Sequence, residues 1–415
     1  MLKQNKFIST ISITGTAIAI MMVMVIIVTD EIKQVSVAPE INRDKTVYIN
    51  SQSLGLHVDE DTYHTSVGPI HYEYYHNYLS KLETPVLSTA MNNKTKWNAN
   101  ISDKTIITAS VTKCDTNYWK LMDFSFVSGK PFSTTDFNAG LKRAVISEQF
   151  SRKLFGNEPA FGRDFYLNYD TYKVVGVVKD FSPILEYAFA DIWIPYSAVD
   201  NFQKNENILF ANPPSYFILF LLENKSDFSI FAEEVRELEK KYNSISEELH
   251  ISFNGPYDHR TQTLANTRFY TELNILRKRY ILIFVILLII PAVNLLGFSM
   301  SRIKRRTEEI GIRKAFGANK KTILIQVLFE NFITSLIGGL IGLVLSYFII
   351  FGMKEWLLNA PPESAIPVQA LISFPIFLSV FLVCIVLNLL SAGIPAYKTT
   401  RINIVDSLNQ NIYSL

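Results

Sequence analysis

The sequence predicts an α-helical membrane protein with four transmembrane helices and a large α+β extracytoplasmic domain inserted between helices 1 and 2. Three observations lead there. Apolar runs at residues 7–28, 280–300, 323–351 and 371–394 each reach the ~20 largely apolar residues that a bilayer-crossing helix needs. The chain between the first two runs, residues 29–279, is polar and punctuated by turn-forming residues, as a water-soluble domain would be. The composition lies between the two worlds. At 48% hydrophobic, formal net charge +2 and mean hydropathy +0.16 over 415 residues, the chain is too polar to be membrane throughout and too apolar for an ordinary soluble enzyme.

The elements follow in order. Residues 1–28 form a short N-terminus and the first helix. Lys3 and Lys6 would suit a secretory signal, but the apolar run exceeds the roughly 7–15 residues of a signal core. The only nearby small-residue pattern, Val35-Ser36-Val37-Ala38, lies well beyond it, so an uncleaved anchor is expected. Charge sets orientation. Lys3 and Lys6, the basic linker at 301–321, and Lys398 with Arg401 after the last span all become cytoplasmic if both termini are inside. Arg277, Lys278 and Arg279 fall on the outer side, where a long translocated domain weakens the charge bias.

Residues 29–279 read as α+β. Strands are predicted at Thr46–Asn50, Thr105–Thr112, Arg143–Ile146, Tyr172–Lys179, Ile192–Pro195, Tyr216–Leu222 and Leu249–Phe253, all rich in Val, Ile, Tyr and Phe. Helices are predicted at Tyr72–Leu82, Ser147–Phe155 and Phe228–Tyr242. The last sets Phe231, Val235, Leu238 and Tyr242 on one apolar stripe. Short strands and turns between Asp115 and Asp200 suggest an inserted lobe. Residues 261–279 read as a stalk helix running without Pro or Gly into the second span, at 280–300, which Pro291 should kink. Cys114 lies in the outer domain and Cys384 in the fourth span, so the two cannot pair.

The linker at 301–321 is the most informative stretch. It is amphipathic and basic, carries the acidic pair Glu308 and Glu309, and offers Ile310, Ile312 and Phe316 as apolar anchors. Arg306, Arg313 and Lys314 can make charge pairs that fix register, and Gly317 is placed to stop the helix before the third span. A loop lying on anionic lipid would not need the acidic pair or the interspersed aliphatics, so docking on a protein partner is the expectation.

The third span, 322–353, carries Glu330 and Asn331 near its cytoplasmic start. A coupling role there, with Glu330 pairing linker arginines, competes with simple interfacial exposure. Gly338, Gly339 and Gly342 form a small-residue pattern that lets another helix approach closely. A short outer loop at 354–370, a fourth span at 371–394 and a cytoplasmic tail at 395–415 complete the order.

No catalytic centre is nominated. The phosphate-cradling GxxxxGK[ST] loop, HExxH, GxSxG and CxxC are all missing. His57, His64, His71 and His76 do not have the spacing of a helical ligand pair, and surface or loop histidines are the favoured reading, with no metal site expected. Nothing points to nucleic acid.

The residues resemble a known family. Arg306-Thr307-Glu308-Glu309-Ile310-Gly311-Ile312-Arg313-Lys314-Ala315-Phe316-Gly317-Ala318, with Gln326, Glu330-Asn331 and Gly338-Gly339, is similar to the signature of FtsX/MacB-like ABC transporter permeases. Ser128-Gly129-Lys130-Pro131-Phe132, Ala144-Val145-Ile146-Ser147-Glu148, Lys153-Leu154-Phe155-Gly156 and Val174-Val175-Gly176-Val177-Val178 resemble the MacB-like periplasmic core domain. The resemblance implies a dimeric mechanotransmission subunit in a bacterial inner membrane, with 301–321 as the coupling helix. It implies a separate ABC ATPase that holds ATP and Mg, so that this chain binds no cofactor and is not itself an enzyme. The partners implied are that ATPase, a second or related permease copy and membrane lipid, with a periplasmic adaptor or outer-membrane protein left open. The implied role is efflux or export of peptides, antimicrobials, lipids or lipoproteins. The competing role is regulation of a cell-wall hydrolase or a sensor kinase.

Overall fold

The computed structural model describes residues 6–59, 62–92, 94–101, 106–199, 215–245, 249–265 and 316–358, with scattered positions between 275 and 312 and between 382 and 393. The chain divides into two compact units: Met1–Lys33 with Arg277–Leu415, and Gln34–Leu276. Most of the second and fourth apolar runs and most of the linker lie outside the described residues.

The first unit opens with α1 (Lys6–Ile32). Ala17, Ile20, Val23, Met24, Ile27, Val28 and Ile32 are buried along it at the three-and-four spacing of a packed helix face. Among the described residues, Ile13–Ile32 is the stretch long and apolar enough to cross a bilayer, and Leu336–Gly352 is a shorter apolar one.

The second unit is α+β. In chain order its strands are β1 (Thr46–Ile49), β2 (Ser51–Asp59), β3 (Thr62–Gly68), β4 (Ile70–His71), β5 (Leu87–Asn92), β6 (Thr95–Asn100), β7 (Ile107–Cys114), β8 (Phe126–Gly129), β9 (Arg143–Ser147), β10 (Asp164–Leu167), β11 (Asp170–Val178), β12 (Ile192–Pro195), β13 (Ser215–Leu221), β14 (Leu249–Asn254) and β15 (Tyr257–Asp258). Its helices are α2 (Tyr72–Asn77), α3 (Tyr118–Leu121), α4 (Thr134–Asn138), α5 (Glu148–Phe155), α6 (Phe228–Ile245) and α7 (His259–Ala265).

Six of these strands close on themselves. Pairings run β12–β9–β11–β10–β6–β7, and β7 pairs β12 again, which completes a ring. Its inward residues alternate with outward ones, as the pattern exposed–buried–exposed–buried along β10 shows. Ala99, Val111, Ile146, Phe165, Leu167, Val174 and Ile192 fill the interior, with Phe150, Leu154 and Phe155 of α5 packed into the same cluster. That helix starts where Ser147 caps it, accepting a 3.1 Å hydrogen bond from Phe150 N. It stops at Gly156, whose φ of +67° a side chain would resist. The ring draws in β6 and β7 as well as the strands between Asp115 and Asp200.

From β7 the sheet continues through β5, β13 and β1 to β15. Both faces of β13 are covered. Ile218 and Phe220 enter a core with Val47, Ile49, Tyr216, Phe231 and Val235, while Leu219 enters one with Tyr48, Trp193 and Met91. Coverage on both sides is why this strand reads as an unbroken apolar run rather than an alternation. Helix α6 lays the predicted stripe on the first core, with Phe231 and Val235 buried and Leu238 and Tyr242 packed at its edge. A separate sheet, β14-β2-β3, stands beside it.

The predicted helix at Tyr72–Leu82 is two pieces: α2 ends at Asn77, Tyr78 departs from helical geometry (φ −126°), and a short 3-10 turn follows at Leu79–Lys81. The predicted stalk is described over 261–265, within α7, and again at Ile275, Lys278 and Arg279, which are helical.

In the first unit again, α8 (Lys320–Gly352) is capped by Asn319, whose side chain accepts from Lys321 N at 3.3 Å. The short α9 (Lys354–Leu358) follows it.

Candidate functional site

Three arrangements bear on function, and the first is at the linker. Arg306, Glu308, Glu309, Ile310, Gly311, Arg313 and Lys314 lie outside the described residues. Ile312 and Phe316 are described, and both are exposed, Phe316 at 87%. Phe316 N donates to Ile312 O at 3.1 Å, which sets the two side chains one helical turn apart. Gly317 follows with φ +88°, the left-handed conformation that ends a helix at little cost for glycine. Two apolar side chains are therefore presented on one stretch, immediately before the turn into α8.

The second arrangement is helix packing. Gly342 is buried against α1: a Cβ built there would lie 2.6 Å from Ala17 O and 3.1 Å from Met21 N. Gly339, one turn earlier, has Ile20 Cδ1 at 3.6 Å from its notional Cβ, an ordinary contact. Gly338 is buried on the same helix. Glu330 and Asn331 lie in the N-terminal half of α8.

The third lies where the second unit is entered and left. The chain arrives through residues 34–45 into β1 and departs through β15 into α7. These two strands are antiparallel neighbours, Val47 opposite Asp258 and Tyr48 opposite Tyr257. The Tyr48 hydroxyl and His259 Nδ1 are hydrogen-bonded at 3.0 Å across the junction. Upstream, Arg43 and Glu40 form a buried ion pair at 2.7 Å, each side chain 2% exposed. Its remaining valences are filled: Arg43 donates to Val35 O and Ile184 O, and Glu40 accepts from Ala188 N at 2.8 Å. A buried pair survives only when so completed. It binds the incoming segment to the loop before β12.

A second buried carboxylate, Asp115, organises the end of β7. It accepts from Thr89 Oγ1 at 2.6 Å, from Ala90 N, Asn117 N and Tyr118 N at 3.0 Å each, and from the Tyr75 hydroxyl at 3.4 Å. Burial pushes its carboxyl above the usual range, against the pull of those donors. Sequence reasoning singled out neither Asp115 as a hub nor the Glu40–Arg43 pair. Charges three apart in a Pro-flanked turn look like solvated surface until the strands that bury them are in place.

Cys114 is buried with a free thiol. His71 is buried and His76 is exposed. Among the described residues no group of three or more His, Cys, Asp or Glu is placed to hold a metal.

Apolar helices flanking a polar α+β unit built on three hydrophobic cores set the class: a membrane-associated subunit with a separate polar domain. The profile of the MacB-like periplasmic core domain matches residues 9–238, and that of the FtsX-like permease C-terminal region matches residues 281–404. The chain belongs to the FtsX/MacB-like ABC transporter permease family. It is 21% identical over 340 residues to the uncharacterized ABC transporter permease YknZ of Bacillus subtilis, covering 80% of this chain and 76% of that one. It is 26% identical over 312 residues to the macrolide export ATP-binding/permease protein MacB of Pasteurella multocida, covering 73% of this chain and 43% of that one. The chain thus spans under half the length of that MacB. Among solved structures, the extracellular domain of YknZ from Gram-positive bacteria aligns at 16% identity over 49% of this chain and 100% of that one, with a TM-score of 0.35. That score is too low for the likeness to carry weight.

Proposed function

We propose that this chain is the permease subunit of an ABC transporter of the mechanotransmission type, with four membrane spans, the linker in the cytoplasm and the α+β unit outside. A separate ABC ATPase hydrolyses ATP and grips the linker. Closure of that ATPase on a dimer of permeases displaces the membrane helices, and the displacement reaches the outer unit through the segments on either side of it. The observation that carries the reading is the exposed pair Ile312 and Phe316, set one turn apart in a basic segment. Apolar side chains so placed gain by entering a partner's groove.

The junction at β1 and β15 gives the motion an address. Because incoming and outgoing chains are hydrogen-bonded neighbours, tied by Tyr48 and His259, a pull on either reaches the same edge of the sheet. Membership of a family that includes named exporters supports cargo export, and peptides, antimicrobials, lipids and lipoproteins are the classes proposed. No observation on this chain favours the regulatory reading. The test is co-purification with a cognate ABC ATPase and measurement of its turnover. Phe316→Ala should lower both retention and stimulation by about tenfold, the scale of a buried aromatic anchor. Unchanged retention and turnover in that variant would sink the docking role.

A further inference from the structure

The two sheets of the second unit meet along a single line. Each strand of the three-stranded sheet continues a strand of the main one: β1 runs into β2 through Asn50, β3 into β4 through Pro69, and β14 into β15 through Gly255 and Pro256. These connectors are neighbours, because Ser51 stands opposite Asn254 and Gln52 opposite Gly68. All four connector residues lie outside the strands, and the two prolines have no N–H to offer a ladder. Gly255, at φ +139°, passes directly over the incoming chain, where a Cβ would lie 2.8 Å from Tyr48 O and 3.4 Å from Ile49 Cα. Short connectors, aligned and crossed at a glycine, are the pattern of a hinge, in which a few element-terminal residues absorb the change of angle.

The buried polar groups around this line are poorly served. Gln52 accepts from His71 N at a long 3.4 Å through Oε1, and its Nε2 is buried without a partner. Asn50 Oδ1 and His71 Nδ1 are likewise buried and unpaired. Gln262, in the helix α7 that leaves β15, is fully buried with neither amide atom bonded. Nearly all buried polar groups of a folded chain are paired, so such a concentration marks a stored cost. Costs of that kind persist at switch regions, where a second arrangement serves the same groups.

Helix α6 braces the line and shows where it can give. On the main-sheet side Glu234 accepts from Glu83 N at 2.6 Å and Thr84 N at 3.1 Å. On the other side Asn243 bonds both Ile251 N and Ile251 O, and Glu239 accepts from Phe253 N. The apolar stripe of α6 shares one core with both sheets, and apolar contact is non-directional, so it tolerates a small rotation. Hydrogen bonds tolerate it less. The grip on β14 is the stronger, which leaves the Glu234 carboxylate as the catch.

We propose that β14-β2-β3, with the C-terminal half of α6, is an arm that swings between two positions about the line of Asn50, Pro69 and Gly255, and that Glu234 is its catch. β15 and α7 leave the joint at the pivot, so a pull through them acts on the arm. As a moving part the arm serves the transmission proposed above, but its two positions are read without an ATPase, and a failure here leaves the docking test untouched. Nitroxides placed by Thr65→Cys in the arm and Lys153→Cys in α5 report the swing by double electron–electron resonance. The sample is the full chain in lipid nanodiscs, with Cys384→Ser and the buried Cys114 retained. Lys153→Cys with Lys225→Cys is the fixed control. Two separations are expected for the arm pair and one for the control, and Glu234→Ala should enlarge the minor population about twofold or more. Gln262→Leu removes only unpaired atoms, so it should raise the melting temperature by about 2–4 °C and shrink the minor population. The proposal is overturned if the arm pair gives one separation as narrow as the control's, if E234A leaves the distribution unchanged, or if Q262L melts no higher than the parent.

Discussion

Gly342 and Ala17 are in backbone-to-backbone register across two helices: a methyl group at Gly342 would lie 2.6 Å from the Ala17 carbonyl oxygen. In the proposed arrangement, with both helices in lipid, there is no hydrophobic reason for them to meet, so close van der Waals packing through small residues has to hold the pair. Gly342→Ala should force α1 and α8 apart and cost about 1–3 kcal/mol, the usual range for overpacking. Gly339→Ala meets only the end of the Ile20 side chain at 3.6 Å and should be neutral or slightly stabilising in a helix. Thermal unfolding of both variants in lipid nanodiscs checks this, and equal losses in the two would contradict the register.

The buried Glu40–Arg43 pair makes a different prediction, because its two halves fail unequally when separated. Arg43→Met leaves the Glu40 carboxylate buried, with Ala188 N as its remaining donor among the described residues, and should destabilise the chain by about 3–5 kcal/mol. Replacing both residues, Glu40→Leu with Arg43→Met, should recover much of that loss, since an apolar pair carries no desolvation penalty. Chemical denaturation of the single and double variants reads this directly. A double variant as unstable as R43M would mean that the backbone hydrogen bonds to Val35 and Ile184 hold the segment, rather than the charge pair.

The sequence carried the outline of the fold better than the site. β13 and α6 are legible because each is decided locally: one is an unbroken apolar run buried on both faces, the other a stripe at helical spacing. β2, β3 and β6 were not predicted. Their sequences, SQSLGLHVD, TYHTSVG and TKWNAN, are polar, the first two with a glycine, and β2 and β6 are strands because distant partners, β14 and β10, pair with them. The same non-locality hid Glu40, Arg43 and Asp115. The glycines of α8 announce a close helix contact in sequence, but nothing in their spacing says that α1 makes it.

His71 and Asp115 should give the outer unit opposite responses to acid. Burial holds the His71 imidazole below its ordinary range, so the folded chain binds fewer protons there than the unfolded one. That contribution is fully present above the unfolded value of about 6.5 and is lost as pH falls through it toward the lowered folded value. Asp115 is raised, so the folded chain binds more protons than the unfolded one between about 3.9 and its folded value, and stability falls as pH rises through that window. Melting temperature against pH in His71→Gln should lose the decline below about 6.5, and Asp115→Asn should flatten the acid limb. A His71→Gln profile that keeps the parent's decline below about 6.5 would refute the first assignment, and an Asp115→Asn profile that keeps the parent's acid limb would refute the second.

The linker prediction follows from two exposed side chains and one glycine. With Ile312 and Phe316 one turn apart, an apolar groove on a partner must accept both, and removing either should weaken docking without affecting the fold of a chain they barely touch. Gly317 acts differently. At φ +88° it lets the chain turn sharply between this stretch and the Asn319 cap of α8, so Gly317→Val should misdirect the segment while leaving its apolar surface intact. Retention of a cognate ATPase is expected to fall in Phe316→Ala and Ile312→Ala. In G317V retention should persist while stimulated turnover drops, because the grip remains and the lever no longer points into the helix. If G317V behaves as the alanine variants do, the glycine serves docking rather than transmission. If it is silent, the turn into α8 transmits nothing.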